Sequence, residues 1–169
     1  MDGISRVVVG VDGAPGSRAA LEHALHDAAR RQARLRVVAV VPLPAYWVAA
    51  YGVGVPPPSA EVVAEVQAAV LRMVEEVVAT HADLLGRVPV AVVATVGNPA
   101  EALLEASRDA DLLVLGHRGR GAFTSAVLGS VGLHCVLNAA CSVTIVRPAA
   151  ESAVPESVPV GATAVPVPA

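Results

Sequence analysis

The sequence predicts an α/β fold: a doubly wound, five-stranded parallel sheet in three layers. Two observations lead there. Five short, strongly apolar runs recur along the chain, at Arg6–Val11, Arg34–Val41, Val88–Val96, Leu112–Leu115 and Ser142–Val146. Such near-continuous apolar runs, β-branched above all in RVVVGV, are the pattern of strands covered on both faces. The segments between them carry helical periodicity, and strands alternating with helices imply right-handed crossovers and a parallel sheet. A third observation, the length of 169 residues, favours one domain with a sizeable core.

The first strand, RVVVGV, ends at Asp12, and Gly13, Pro15 and Gly16 punctuate the turn. Ser17 is the expected N-cap of a helix running to about Arg31, with Leu21, Ala24, Leu25 and Ala28 on its core face. The second strand leads into PLPAYWVAAYGVGVPPP, which holds Tyr46, Trp47 and Tyr51. Aromatic side chains in such a loop can stack on a base, dock a partner or cap the core. The next helix is expected from about Ser59 to Ala82, with Val62, Val66, Ala69, Val70, Met73 and Val77 as its apolar stripe and Glu61, Glu65, Arg72 and Glu76 as its solvated face. After the third strand, Asn98 can cap and Pro99 can open a short helix that ends before Asp109. A final helix is expected at about Val131–Asn138, ahead of the last strand.

Composition removes several function classes. The net charge of −3 offers no global basic field for nucleic acid. All 12 basic residues are arginine, so a Schiff-base lysine and a Walker-A phosphate loop are both excluded. Two cysteines, Cys135 and Cys141, cannot alone make a zinc knuckle and read as buried free thiols of a reducing compartment. The N-terminus lacks the pattern of a signal peptide, and the chain is expected to be cytoplasmic. The uncharged stretch 37–60 is long enough to span a bilayer, but Pro42, Pro44 and Pro56–Pro58 would break a spanning helix. No membrane association is expected. Residues 149–169, with four prolines and no aromatic residue, read as a disordered tail behind a folded domain of residues 1–148.

The chemistry concentrates in DLLVLGHRGRGAFTSAVLGSVG, residues 111–132, where a buried strand runs into a glycine-rich loop and a helix start. Gly116, Gly119, Gly129 and Ser130 would supply backbone and hydroxyl donors to an anion, and Arg118 and Arg120 fixed charge. By themselves these residues are equally compatible with tight turns that bind nothing. In a doubly wound sheet, ligands sit beyond the carboxyl ends of strands where the strand order reverses. If strands one and four are neighbours, Asp12 and Gly116 flank that crevice. His117 lies in the same loop and is read as an outward-facing side chain rather than a catalytic base. His23, His26, His81 and His134 lack metal spacing and receive no function. Ser130, His134 and Asp12 do not make a hydrolase triad, because no nucleophile-elbow sequence surrounds the serine.

VVVGVDGAPGSRAALEHA, DLLVLGHRGRG and GSVGLHCVLNAACSVTIVRP together resemble the universal stress protein family over about residues 4–148. The most specific element is the motif G-x2-G-x9-G-[ST], met by Gly116, Gly119, Gly129 and Ser130, which marks the ATP-binding branch of that family. The resemblance implies a flavodoxin-like or Rossmann-like sheet, with strand order 3-2-1-4-5, and an adenine-nucleotide site. Gly10, Val11 and Asp12 would lie against the nucleotide, with Asp12 on the adenosine part or on nucleotide-bound Mg. The backbone of Val40 would meet the adenine edge, and Gly116, Arg118, Gly119, Arg120, Gly129, Ser130 and Val131 would surround ribose and phosphates. Gly132 stands where many relatives carry a small hydroxyl residue, and Ser142 where proline usually follows the cysteine.

The resemblance further implies an ATP-binding regulator of the stress response, and a homodimer joined through Ser142–Val146. The alternatives are a slow ATPase or phosphotransfer enzyme, and a partner-recruiting scaffold in which a nucleotide such as cyclic AMP only shifts conformation. The Pro42–Pro58 loop, with Tyr46, Trp47 and Tyr51, is expected to start beside the adenine pocket, where it either closes over the nucleotide or packs permanently against the sheet edge or a partner subunit.

Overall fold

A computed structural model of the chain describes residues 5–42, 58–82, 86–117 and 128–148. Five strands, β1 (Arg6–Val11), β2 (Arg34–Pro42), β3 (Val90–Gly97), β4 (Leu112–Gly116) and β5 (Ser142–Val146), form one sheet in the order β3-β2-β1-β4-β5. Every neighbouring pair is parallel. The strand order reverses between β1 and β4, the expected arrangement.

Among the described residues, four helices cover the sheet: α1 (Pro15–Arg31), α2 (Ala60–Thr80), α3 (Pro99–Ala106) and α4 (Ser130–Asn138). Alternation along the strands assigns the faces. Val7, Val9 and Val11 of β1 pack with Leu21, Leu25 and Ala28 of α1 and with Val70, Val74 and Val77 of α2. Val8 and Leu113 point the other way, toward Ala100 and Leu103 of α3 and Cys135 of α4. Leu21 and Leu25 are fully buried, and each contributes about 1.5–3 kcal/mol through the surface it removes from water.

The amino ends of β1 and β4 are fastened together. Asp111 accepts from the Ser5 hydroxyl at 2.8 Å and from the Arg6 amide at 2.7 Å. The Asp111 amide donates in turn to the Arg6 carbonyl at 2.9 Å. The Arg6 amide above all, then the Ser5 hydroxyl, holds the Asp111 carboxyl below the usual carboxylate range. Arg6 also pairs with Asp109.

Several local expectations change. Ser17 is not the cap of α1, because the helix begins two residues earlier with Pro15 after Ala14, and the buried Ser17 hydroxyl donates to the Ala14 carbonyl at 2.8 Å. Pro15 has no amide to satisfy, so the chain turns helical there without a side-chain cap. On α2, Val62 and Ala69 face water and Val74 takes the core position, because the helix packs through Val70, Val74 and Val77. Glu76 does more than meet solvent, since it accepts from Arg18 of α1 at 2.8 Å. The third strand starts at Val90 rather than Val88. Cys135 is buried as expected, but Cys141 only partly. Burial, and then the nearby Cys141, pushes the Cys135 thiol above its ordinary range. The stretches 43–57 and 149–169, with the aromatic loop and the tail, lie outside the described residues.

Candidate functional site

The carboxyl ends of β1, β2 and β4 meet at the reversal of strand order. Val11 is level with Ala39, so Asp12 and Val40 stand one step further on. Val9 is level with Val114, and continuing that register brings Gly116 beside Val11. Gly10 is level with Val38 on β2. A side chain at Gly10 would come within 2.8–2.9 Å of Leu115 and Leu103, so Gly10 serves the core packing beneath the rim.

Gly116 is required where it is for a second physical reason. A Cβ there would lie 2.7 Å from the Gly16 carbonyl oxygen and 3.2 Å from the Ser17 nitrogen. Only glycine lets the first turn of α1 come this close to the end of β4. Just past β4 the chain meets the start of α4, because the Gly129 amide donates to the His117 carbonyl at 3.3 Å. Gly129 is the N-cap of α4, with Ser130 and Val131 in its first turn. Gly116, Gly129, Ser130 and Val131 therefore gather at one edge with the first turn of α1. Arg118, Gly119 and Arg120 lie outside the described residues.

The four helix N-termini differ in a way that bears on charge. The α2 amides are capped by Ser59, which accepts from Val62, and the α3 amides by Asn98, which accepts from Ala100 and Glu101. Both helices also carry a glutamate in the first turn, Glu61 and Glu101. Neither α1 nor α4 has a side-chain cap bond or a first-turn acid. These two N-termini are the ones that open at the reversal point, and they leave the positive end of the helix dipole to a ligand.

Asp12 is the acidic group at this edge. Its carboxylate accepts from the Ala14 amide at 3.0 Å, the Asx-turn role that its position before Gly13 suggests. One oxygen is thus committed to the turn that launches α1. Gly13, at φ 80, supplies the left-handed step the turn needs. His117 hydrogen-bonds at Nε2 to the Arg147 guanidinium at 3.1 Å, and its amide donates to the Val146 carbonyl at 2.8 Å. A guanidinium only donates, so this ring nitrogen accepts and is occupied as a general base. Gly132 is buried, and a Cβ there would press against Leu128 at 3.0 Å. At this position the chain uses the space for packing.

Sequence reasoning missed one grouping. Glu22, His26 and His81, two of which receive no function from their spacing, come together with one ligand atom from each within 4.8 Å of the others. Glu22 and His26 are four apart on α1, a readable helical spacing, but His81 arrives by tertiary packing of the end of α2.

Among the described residues, no helix is long and apolar enough to cross a membrane. Residues 3–147 match the profile of the Universal stress protein family. A universal stress protein of Mycobacterium bovis is 35% identical over 163 residues, covering 91% of this chain and 51% of that protein. One of Mycolicibacterium smegmatis is 33% identical over 142 residues, covering 84% of this chain and 45% of that protein. The chain thus spans about half the length of these relatives. A universal stress protein solved in complex with cAMP superposes with a TM-score of 0.58 at 27% identity, over 85% of this chain and 97% of that one. By its sheet, its profile match and its relatives, the chain belongs to the universal stress protein family.

Proposed function

We propose that residues 1–148 form an adenine-nucleotide-binding regulatory domain, with ATP as ligand, held in the crevice between β1 and β4. The observation that carries this reading is that α1 and α4, which start at the reversal of strand order, have neither a side-chain cap bond nor an acidic residue in the first turn. Such termini suit phosphate oxygens. The motif glycines Gly116 and Gly129 supply the close backbone, Ser130 and Val131 the first-turn amides, and Arg118, Gly119 and Arg120 complete the motif segment. A cAMP complex of a relative at 27% identity supports an adenine ligand.

Asp12 divides the crevice chemically. A carboxylate repels phosphate unless a cation lies between them, and a hard cation such as Mg takes a carboxylate together with phosphate oxygens. Asp12 and the β1 end, Gly10 and Val11, with the Val40 backbone, therefore suit the adenosine part or nucleotide-bound Mg. The α4 end suits the phosphates. A regulatory role fits better than turnover, because His117 is engaged by Arg147 and the described edge otherwise offers Asp12, already bonded to its own turn. We further propose a homodimer through β5, an edge strand flanked by the exposed Leu133, Val136 and Leu137 of α4. This assembly would work in the cytoplasm.

The test is calorimetric titration of the full chain with Mg-ATP, ADP and cAMP, combined with identification of any nucleotide that co-purifies. Saturable one-to-one binding of at least one of them is expected, without steady hydrolysis of ATP. No heat from any of the three would overturn the reading.

A further inference from the structure

We propose that Glu22, His26 and His81 form a separate zinc-binding site that clasps α1 to the C-terminal end of α2. The donor set is a carboxylate and two imidazoles, a combination that suits zinc and its neighbours among the late first-row divalent ions. Glu22 and His26 are i and i+4 on one helix and so share a face. His81 is the C-cap of α2, brought alongside by the parallel packing that also pairs Arg18 with Glu76 further toward the start of α1. The stripe Arg18, Glu22, His26 thus runs along the edge of α1 that meets α2.

The geometry is close to what the ion requires. The three ligand atoms lie within 4.8 Å of one another, and His81 Nε2 is 3.8 Å from Glu22 Oε1. Tetrahedral zinc with bonds of about 2.0–2.1 Å separates its ligand atoms by roughly 3.3 Å. Closing the set takes a shift of roughly 1.5 Å at most, within reach of partly exposed side chains: Glu22 is 46% and His81 37% accessible. Three protein ligands leave a fourth position open to water.

Two details point to an ion rather than an ordinary helix contact. His81 Nδ1 is buried and has no hydrogen-bond partner, although buried polar atoms are ordinarily satisfied. Rotation about χ2 carries Nδ1 to the opposite side of the ring axis, so this atom can also be turned toward an ion. An ion pair of His81 with Glu22 would leave His26 unexplained, yet the His26 and His81 rings meet edge to face with centroids 5.1 Å apart. The surrounding charges also suit a cation. Arg30, which lines the adjoining groove, is held by Asp27, and Arg18 by Glu76. The last turn of α2 contains no basic residue, so a cation at its end interacts favourably with the helix dipole.

The experiment uses the full chain stripped of metal by a chelator and titrated with Zn(II) by calorimetry, then with Co(II) by visible spectroscopy. One zinc per chain at micromolar affinity or tighter is expected. The Co(II) form should show the absorption of a four-coordinate nitrogen and oxygen set without a thiolate charge-transfer band. Removing an outer-shell group alone costs about 10–100-fold in metal affinity, so His26→Ala and His81→Ala should each weaken binding at least about 100-fold. Glu22→Gln tests the same point with little risk to folding, and circular dichroism checks all three variants. Cys141→Ser, and Gly119→Val in the nucleotide motif, should leave zinc affinity unchanged, so this site stands or falls apart from the crevice. Absence of one-to-one binding at micromolar zinc, or binding that survives both His26→Ala and His81→Ala, would overturn the proposal.

Discussion

The N-termini of α2 and α3 are closed by their own side chains, Ser59 and Asn98, with a glutamate in each first turn, whereas those of α1 and α4 are left without either. A helix start in water gains about 0.5–2 kcal/mol from a capping side chain. The two helices that forgo this contribution are the two that start at the reversal of strand order. The difference separates helix starts that serve the fold from helix starts that can serve a ligand. It would be invisible in a comparison of helical propensity or burial alone.

The sharpest way to break the comparison is to cap α4. Gly129→Asp supplies a side-chain acceptor and a negative charge at the helix start, as in α2 and α3. Thermal stability should hold or rise slightly, while affinity for adenine nucleotide falls about 100-fold, or about 2.7 kcal/mol, through repulsion of the phosphates. Calorimetry beside a melting curve reads both. Unchanged affinity would mean that the α4 start does not face the ligand.

The next effect falls on stability. Gly116→Ala places a methyl group 2.7 Å from the Gly16 carbonyl oxygen, a backbone atom that cannot move alone. Displacing the first turn of α1 should cost about 1–3 kcal/mol in urea unfolding. If α1 contributes to the crevice, nucleotide affinity falls with it. A loss confined to stability would leave α4 as the ligand's helix.

Asp12→Asn separates charge from turn. Asparagine keeps the oxygen that accepts from Ala14 and loses the carboxylate. Affinity for Mg-ATP should drop about tenfold, with the melting temperature little changed. A large fall in melting temperature with intact Mg-ATP binding would make Asp12 a turn residue alone.

Asn98→Ala and Ser59→Ala complete the comparison from the other side. Each should cost about 1 kcal/mol of stability and leave nucleotide affinity unaltered. Because Asn98 accepts two amides, at 2.9 and 3.3 Å, and Ser59 one at 3.4 Å, the Asn98 change should be the larger.

The legible parts of this chain are those set by local pattern. The apolar runs marked all five strands, with β1 and β5 at their observed limits, and Asn98-Pro99 marked the start of α3. Ser17 misled because a serine after a glycine-proline turn has the composition of a cap. The proline at N1, and the Asx turn of Asp12 before it, had already started the helix. On α2, helical spacing admits more than one apolar stripe, and only packing on the sheet selected Val74 over Ala69. The edge position of Gly116 could be read from the motif, but not its contact with Gly16, which depends on how α1 returns across the sheet. His26 and His81 are 55 positions apart in sequence, 81 less 26, and no periodicity joins them.

The fastening of β1 to β4 through Asp111, Ser5 and Arg6 lies at the end of the sheet opposite the crevice. Strand register at the reversal point is therefore held from the end of the sheet away from the crevice. Insertions or deletions in 43–57 or 118–127 should leave the backbone positions of Asp12, Val40 and Gly116 in place, since the entropy of closing a longer connection grows slowly with length. A sheet anchored in this way can tolerate change in the segments that follow its strands while keeping the backbone positions proposed to meet a ligand.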